Sequence, residues 1–261
     1  MTGKQIRQII LEQANRAHVG HIGSSLSIAD LIAALYGSAL NVSDPDHQDR
    51  DRFVLSKGHA SLALYAAFFL RGWLSQSELE TYCGDATLLG VHPEHQLRGV
   101  DFATGSLGQG LSYGAGAALA ARLQGSERRA VVLMSDAELN EGSVWEAVMF
   151  GAHHKLSNLV AIVDVNGQQA LGFTEDVLNT SPLADRWRAF GWNTHEVDGH
   201  DQDAISDTLL RLDCKQGPPN VLLAATRAGK GVSFMERQVK WHYWPMSEDE
   251  FRRAIQEVEG L

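Results

Sequence analysis

Cysteine and proline are scarce in this chain, two and six among 261 residues. Two cysteines, Cys83 and Cys214, cannot build a disulfide framework, and a reducing cytoplasm is the simpler expectation. Long apolar runs are missing too. The longest, Leu62 to Leu70 (LALYAAFFL), is far short of the roughly 18 residues a membrane span needs. The N-terminus, MTGKQIRQIILEQANRAHVGH, lacks the apolar stretch of a secretory signal. Positive charge is also short: 22 basic side chains against 32 acidic ones, net −10. A basic nucleic-acid footprint is therefore not expected. What remains is an ordinary globular composition, 44% hydrophobic and 21% charged, which sets aside disorder, collagen and coiled coil.

Hydrophobic spacing predicts helices over Gln5–Ala17, Ser27–Leu40 and Ser61–Leu70, with a capping box at Ser75–Glu78 opening a short fourth. The first hundred residues read as mostly helical, with one short strand at Phe53–Leu55. The pattern then alternates. Ala130–Met134, Leu159–Val163, Asn193–Val197 and Asn220–Ala225 read as strands, and Val144–His154, Pro182–Phe190 and Asp201–Leu212 as helices. Such alternation predicts an α/β fold: a doubly wound, mostly parallel sheet with helices on both faces. No linker or repeat divides the chain, so one domain over 1–261 with a helical N-terminal part is expected. Residues 229–245 form a long irregular stretch of the kind that tends to carry function.

Ligands of open parallel sheets sit beyond the carboxyl ends of the strands. Ser135-Asp136-Ala137 follows one strand and Asp164-Val165-Asn166-Gly167-Gln168 follows another. If those strands are neighbours, Asp136 and Asn166 reach one crevice, where a carboxylate, an amide and main-chain oxygens suit Mg²⁺ or Ca²⁺. The plainer reading makes Asp136 a helix cap and Asn166 a turn residue. The glycines from Gly105 to Gly116 do not make a dinucleotide fingerprint, because Gly108-Gln109-Gly110 continues to Gly114, one residue too late. Each histidine taken alone reads as structural: His153 and His154 in mid-helix, His18, His47, His95 and His195 at surface or turns, His200 fixing a turn.

Longer matches give these residues context. Gly20-His21-Ile22-Gly23-Ser24-Ser25, RFVLSKGHASLALY from Arg52, His92-Pro93-Glu94 and TGSLGQGLS from Thr104 come first. Asp136–Gly142, the run from Val144 to Gly167, DGHD from Asp198, GKGVSFME from Gly229 and Lys240-Trp241-His242 follow in order. Together they resemble the N-terminal, diphosphate-binding part of transketolase, as it occurs in transketolases split into two subunits. That family moves a two-carbon ketol unit between sugars with thiamine diphosphate and a divalent metal.

The resemblance implies Asp136, Asn166 and the Gln168 carbonyl as ligands of Mg²⁺ or Ca²⁺. It implies His59 and His242 as contacts of the diphosphate or the reacting donor, and His21 and His92 as histidines over the thiazolium. Gly105, Ser106 and Leu107 would face the aminopyrimidine, and Ala137 and Glu138 would adjoin the diphosphate. Glu141 matches a glutamate that links two active sites across a subunit interface. A second polypeptide, the C-terminal pyrimidine-binding subunit, would complete the site in an assembly of two plus two chains. Histidine titrates nearest neutrality and suits the proton movements of ketol transfer.

Three places depart from the family pattern. Ser135-Asp136-Ala137 replaces Gly-Asp-Gly, Ala170 stands where a larger aliphatic residue is common, and Tyr243-Trp244 replace small residues after His242. Trp241, Tyr243 and Trp244 read equally as core aromatics or as the mouth of a site. Two other readings stay open: another split thiamine enzyme acting on a 2-oxo acid, and a non-catalytic partner chain.

Overall fold

The computed structural model describes residues 1–261. Helix α1 (Gly3–Ala17) opens on the capping box Thr2–Gln5 and buries Ile6, Ile9, Ile10 and Ala14, the face its spacing predicts. The expected helix Ser27–Leu40 is instead broken. It runs as α2 (Ile22–Ser27), α3 (Ala29–Ala34) and a π-helical turn over Leu35–Ala39. The break falls at Ile28 (φ −99°, ψ 6°), just after Ser27, whose hydroxyl donates out of the helix to Asp164 at 2.9 Å.

Next come β1 (Arg52–Leu55), the buried α4 (Ser61–Leu70) and α5 (Gln76–Leu79), capped by Ser75 as expected. Helix α6 (Gly110–Leu123) is an addition to the sequence reading. Its three glycines weaken helix propensity, but Gly114 is required there, since a Cβ would lie 2.3 Å from the Val132 side chain. Then follow β2 (Ala130–Ser135), α7 (Gly142–His153) and β3 (Leu159–Val165). The chain continues through a small antiparallel hairpin, β4 (Gln168–Gln169) with β5 (Gly172–Phe173), then α8 (Thr174–Val177) and α9 (Leu183–Ala189). It ends with β6 (Asn193–Asp198), α10 (Gln202–Arg211), β7 (Asn220–Ala225) and a second addition, α11 (Glu248–Glu259).

The main sheet has five strands, all parallel, in the order β1-β2-β3-β7-β6. Its central strands are apolar on both faces, as a sheet sandwiched between helices demands. Val131, Leu133, Val160, Ile162 and Leu222 join the core shared with α1, α3, α4 and α11. Val132, Met134, Ala161, Val163 and Val221 join the core under α6, α7 and α9. Edge strand β6 instead alternates exposed and half-buried residues.

Register sets up the site. Ser135 pairs with Asp164 across β2 and β3, and the Asp136 N–H donates to the Asp164 carbonyl at 3.1 Å. The two strands are neighbours, so Asp136 and Asn166 do emerge at one edge. Strand β3 also runs two residues past its expected end, carrying Asp164 into the sheet. No helix is long and apolar enough to cross a membrane.

Candidate active site

The segments beyond β1, β2, β3 and β7 enclose a cavity of about 300 Å³. His21, His59, His92 and His242 all line it, with Glu141. The rings of His21, His59 and His242 form a triangle with centroids 5.3 to 5.5 Å apart. His21 sits in the left-handed region (φ 60°), strained for a residue with a side chain. Gly20 lets it approach, because a Cβ there would lie 2.1 Å from the Tyr243 carbonyl oxygen. His59 is placed by a short turn after Lys57, and His242 ends the 3₁₀ turn Val239–His242. Trp241 anchors that turn: it is buried and its indole N–H donates to the Phe234 carbonyl at 3.2 Å.

Burial governs the electrostatics. It holds His242 down at about 4, with neighbouring His21 and Lys57 adding to the effect. His59 is lowered well below its ordinary value and His21 is lowered too, chiefly by burial. The triangle is therefore three neutral imidazoles at neutral pH. Such rings can accept hydrogen bonds and do not repel a cationic ligand.

Asp136, by contrast, is raised to about 7, first by burial and then by Asp164. Its oxygens accept only main-chain N–H groups, from Ala137 at 2.9 Å and Gly167 at 2.8 Å. No cationic side chain pairs with it. Asn166 Oδ1 accepts the Gln168 N–H at 2.9 Å. Asp136 lines a separate small pocket with Gly167 rather than the histidine cavity, but a buried carboxylate without a counter-charge and a neighbouring amide oxygen are donors of the kind a hard divalent cation takes. The cap reading of Asp136 holds as well, since its bond to the Ala137 N–H is a cap bond. Ala137 avoids positive φ, so alanine in place of glycine carries no backbone strain.

Not every expected contact lines the cavity. Gly105, Leu107, Ala137, Asn166 and Gln168 do. Ser106 is exposed and lies outside the lining. Glu138, expected beside the diphosphate, is corrected: it is fully buried and turned away. Its carboxylate accepts from the Ser56 hydroxyl and from the Gly108 N–H at 2.7 Å. Gly108 has φ 87°, so Glu138 holds the turn that presents Gly105 and Leu107. It shapes the site through the main chain.

Two residues at the base of the site escape sequence reasoning. Lys57 and Asp164 are both fully buried and form an ion pair at 2.5 Å. Their positions, two residues before His59 and Asn166, are the only signal. His200 fixes a turn as expected: its Nδ1 bonds Asp30 and its Nε2 accepts the Arg227 N–H, both at 2.9 Å.

Buried side-chain polar atoms without any partner cluster here. His21 Nδ1, Asn140 Oδ1, both amide atoms of Gln168 and Gln169 Nε2 lack one, and all four residues line the cavity. Native interiors satisfy such groups, so a concentration of orphans marks a place where a ligand completes the bonding.

The family described as "Transketolase, thiamine diphosphate binding domain" matches residues 2–259. An apulose-4-phosphate transketolase subunit from Phocaeicola vulgatus is 39% identical, over 97% of this chain and 90% of its own length. The 6-deoxy-6-sulfo-D-fructose transketolase subunit SqwG of Clostridium sp. (strain MSTE9) is 38% identical, over 97% and 94%. Transketolase from Campylobacter jejuni superposes with a TM-score of 0.91 at 29% identity, covering 98% of this chain and 42% of that one. The chain thus spans about two fifths of that solved transketolase, yet nearly the full length of the split subunits. It belongs to the transketolase family, as an N-terminal, thiamine diphosphate-binding subunit of a split transferase.

Proposed function

We propose that the chain, acting as one domain over 1–261, pairs with a pyrimidine-binding subunit to transfer a two-carbon ketol unit from a ketose to an aldehyde acceptor. The observation that carries this is the cluster of unpartnered buried polar atoms beside three neutral histidines. Asp136, Asn166 and the Gln168 carbonyl hold Mg²⁺ (or Ca²⁺). His59, His242 and Ala137 hold the diphosphate, and Gly105 and Leu107 face the pyrimidine ring. Thiamine diphosphate, when bound, supplies the electron sink for breaking and making the carbon–carbon bond. His21, His59, His92 and His242 orient donor and acceptor hydroxyls, taking a proton from one and returning it to the other. Glu141 stands exposed at the rim, where a second copy or the partner reaches it.

The ketoses in the two relatives' names, apulose 4-phosphate and 6-deoxy-6-sulfo-D-fructose, each carry an anionic group. A substrate of that class suits this chain. The cavity's one cationic side chain, Lys57, is already paired with Asp164, so the partner supplies the groups that grip the anion. Two chains of each kind make the assembly. The unpaired thiols of Cys83 and Cys214 suit a reducing cytoplasm.

Co-expression with the chain encoded alongside it, followed by a donor and acceptor screen, tests this. Ketol transfer by the complex and none by either chain alone is expected. Turnover by the isolated chain, or no thiamine diphosphate binding by the complex, overturns the proposal.

A further inference from the structure

Asp164 is the most heavily bonded side chain at the base of the site. Its Oδ2 accepts from Ser27 Oγ at 2.9 Å, Lys57 Nζ at 2.5 Å and Asn166 Nδ2 at 2.8 Å. Its Oδ1 accepts from the Thr226 hydroxyl. Four donors fill about all that an ionised carboxylate can accept. They come from four different segments: the end of α2, the turn after β1, the end of β3 and the residue after β7. Those same segments lead to or from His21, His59, Asn166 and His242. Lys57 adds a bond to the Ser24 carbonyl at 3.2 Å, closing the knot.

Stability alone is a poor account of this pair. A buried ion pair loses solvation on both sides, and apolar replacements of similar size are often neutral or stabilising. Orientation is the better account. An asparagine side chain is nearly symmetric in shape, with an oxygen on one side and an NH₂ on the other, and its neighbours decide which faces where. Asp164 only accepts, so it takes the Nδ2 of Asn166 and leaves the oxygen on the opposite side, where it also accepts the Gln168 N–H at 2.9 Å.

We propose that Asp164, held by Lys57, is a positioning residue that fixes the Asn166 amide so that its oxygen, and not its NH₂, faces the divalent cation. The proposal rests on the reading of Asp136, Asn166 and Gln168 as the cation's ligands. An NH₂ turned toward a cation would repel it. Partners behind a metal ligand of this kind are worth roughly 10–100-fold in metal affinity.

The test separates orientation from charge with two double variants of the two-chain complex. Lys57→Met with Asp164→Leu removes the charges and the acceptor. Lys57→Met with Asp164→Asn removes the charges but keeps an oxygen that can accept from Asn166. Binding of Mn²⁺ in the presence of thiamine diphosphate is read by electron paramagnetic resonance, and folding by thermal melting. The leucine variant should bind Mn²⁺ at least about tenfold more weakly, and the asparagine variant within about threefold of the unaltered complex. Equal loss in both variants, or unaltered binding by a folded leucine variant, overturns the proposal. Should the leucine variant not fold, the asparagine variant decides alone: binding within about threefold supports it, and a loss of about tenfold overturns it. If the unaltered complex fails to bind Mn²⁺ with thiamine diphosphate, the functional reading falls and this proposal with it. Failure of the variants alone leaves the functional reading standing.

Discussion

The two ends of the parallel sheet handle buried charge in opposite ways. At the amino end lies the larger cavity, about 710 Å³, lined by Asp51, Arg129, Asn158 and Cys214 among others. Its charged groups are paired, and Arg128 Nε is the one buried side-chain polar atom of the lining without a partner. Asp51 accepts from the Arg129 side chain, the Arg129 N–H and the Asn41 N–H, while Asp101 nearby takes a bidentate grip from Arg50. At the carboxyl end the cavity is smaller, about 300 Å³. There Asp136 has no cationic partner, and the orphaned atoms of His21, Asn140, Gln168 and Gln169 gather. Cavity size therefore misleads about function in this fold. Unfinished bonding is the better marker, because groups left unsatisfied in a packed interior need a ligand.

Exchanging one aspartate at each end breaks the comparison most sharply. Asp136→Ala removes the one carboxylate of the proposed cation site, so thiamine diphosphate binding with Mg²⁺ should weaken by at least about 100-fold in calorimetry of the complex. Melting should fall far less than in Asp51→Ala, because relief of a buried carboxylate without a counter-charge offsets the roughly 0.5–2 kcal/mol of the lost cap bond. Asp51→Ala should do the reverse. Removing one partner of a buried pair costs about 3–5 kcal/mol of stability, and cofactor affinity in the folded fraction should stay within about twofold. If Asp51→Ala lowers affinity as much as Asp136→Ala does, the ends are coupled and the contrast fails.

Most of this contrast is legible in the sequence, and the exceptions are instructive. Period-2 and period-3.6 spacing locates the central strands and α1, because their burial is dictated by side chains alone. Asp136 and Asn166 directly follow strand ends, whereas His21, His59, His92 and His242 stand out only through the resemblance carried by the motifs that hold them. Lys57 and Asp164 are invisible there because nothing local requires them: their pairing spans β1 and β3 and exists only once the sheet forms. Glu138 is misplaced by the sequence for a similar reason. Its neighbour Ala137 does line the cavity, but the 3₁₀ turn rotates Glu138 inward to Ser56 and Gly108. The break at Ile28 is hidden because the segment is buried on every side, which erases the periodicity that would locate it.

Acid should sharpen the difference between the ends. His242 is held at about 4, below its ordinary 6.5, by burial, and His21 and His59 are lowered in the same direction. A base with a lowered folded pKa binds its proton more readily when unfolded. The contribution of these histidines is therefore fully present above about 6.5 and is lost as pH falls from about 6.5 toward about 4, while Asp136, raised to about 7, opposes that loss by taking up a proton in the folded state. His242→Asn should flatten that fall by on the order of 2 kcal/mol, measured as urea unfolding from about pH 7.5 to about pH 4.5. An unaltered pH profile in His242→Asn would show that the histidine triangle is not what acid attacks.

The smallest expected effect concerns the mouth of the carboxyl-end cavity. Trp241 is core, whereas Tyr243 and Trp244 are 58% and 65% exposed. The Tyr243 ring stands 5.5 Å from His21 and 4.8 Å from His242, and it lines the cavity. Its main chain cannot retreat, because Gly20 is already in contact behind it. An aromatic fixed there narrows the mouth of the cavity, so under the proposed function it should bear on the second substrate more than on the donor. Tyr243→Gly combined with Trp244→Lys should change relative kcat/KM among acceptor aldehydes by about 5–20-fold, roughly 1–2 kcal/mol of differential contact. Donor cleavage, followed without acceptor, should change by less than about twofold. Equal changes in both would place the aromatics in packing against the partner chain. In that case the carboxyl end would owe its selectivity to the neutral histidines and the partner alone.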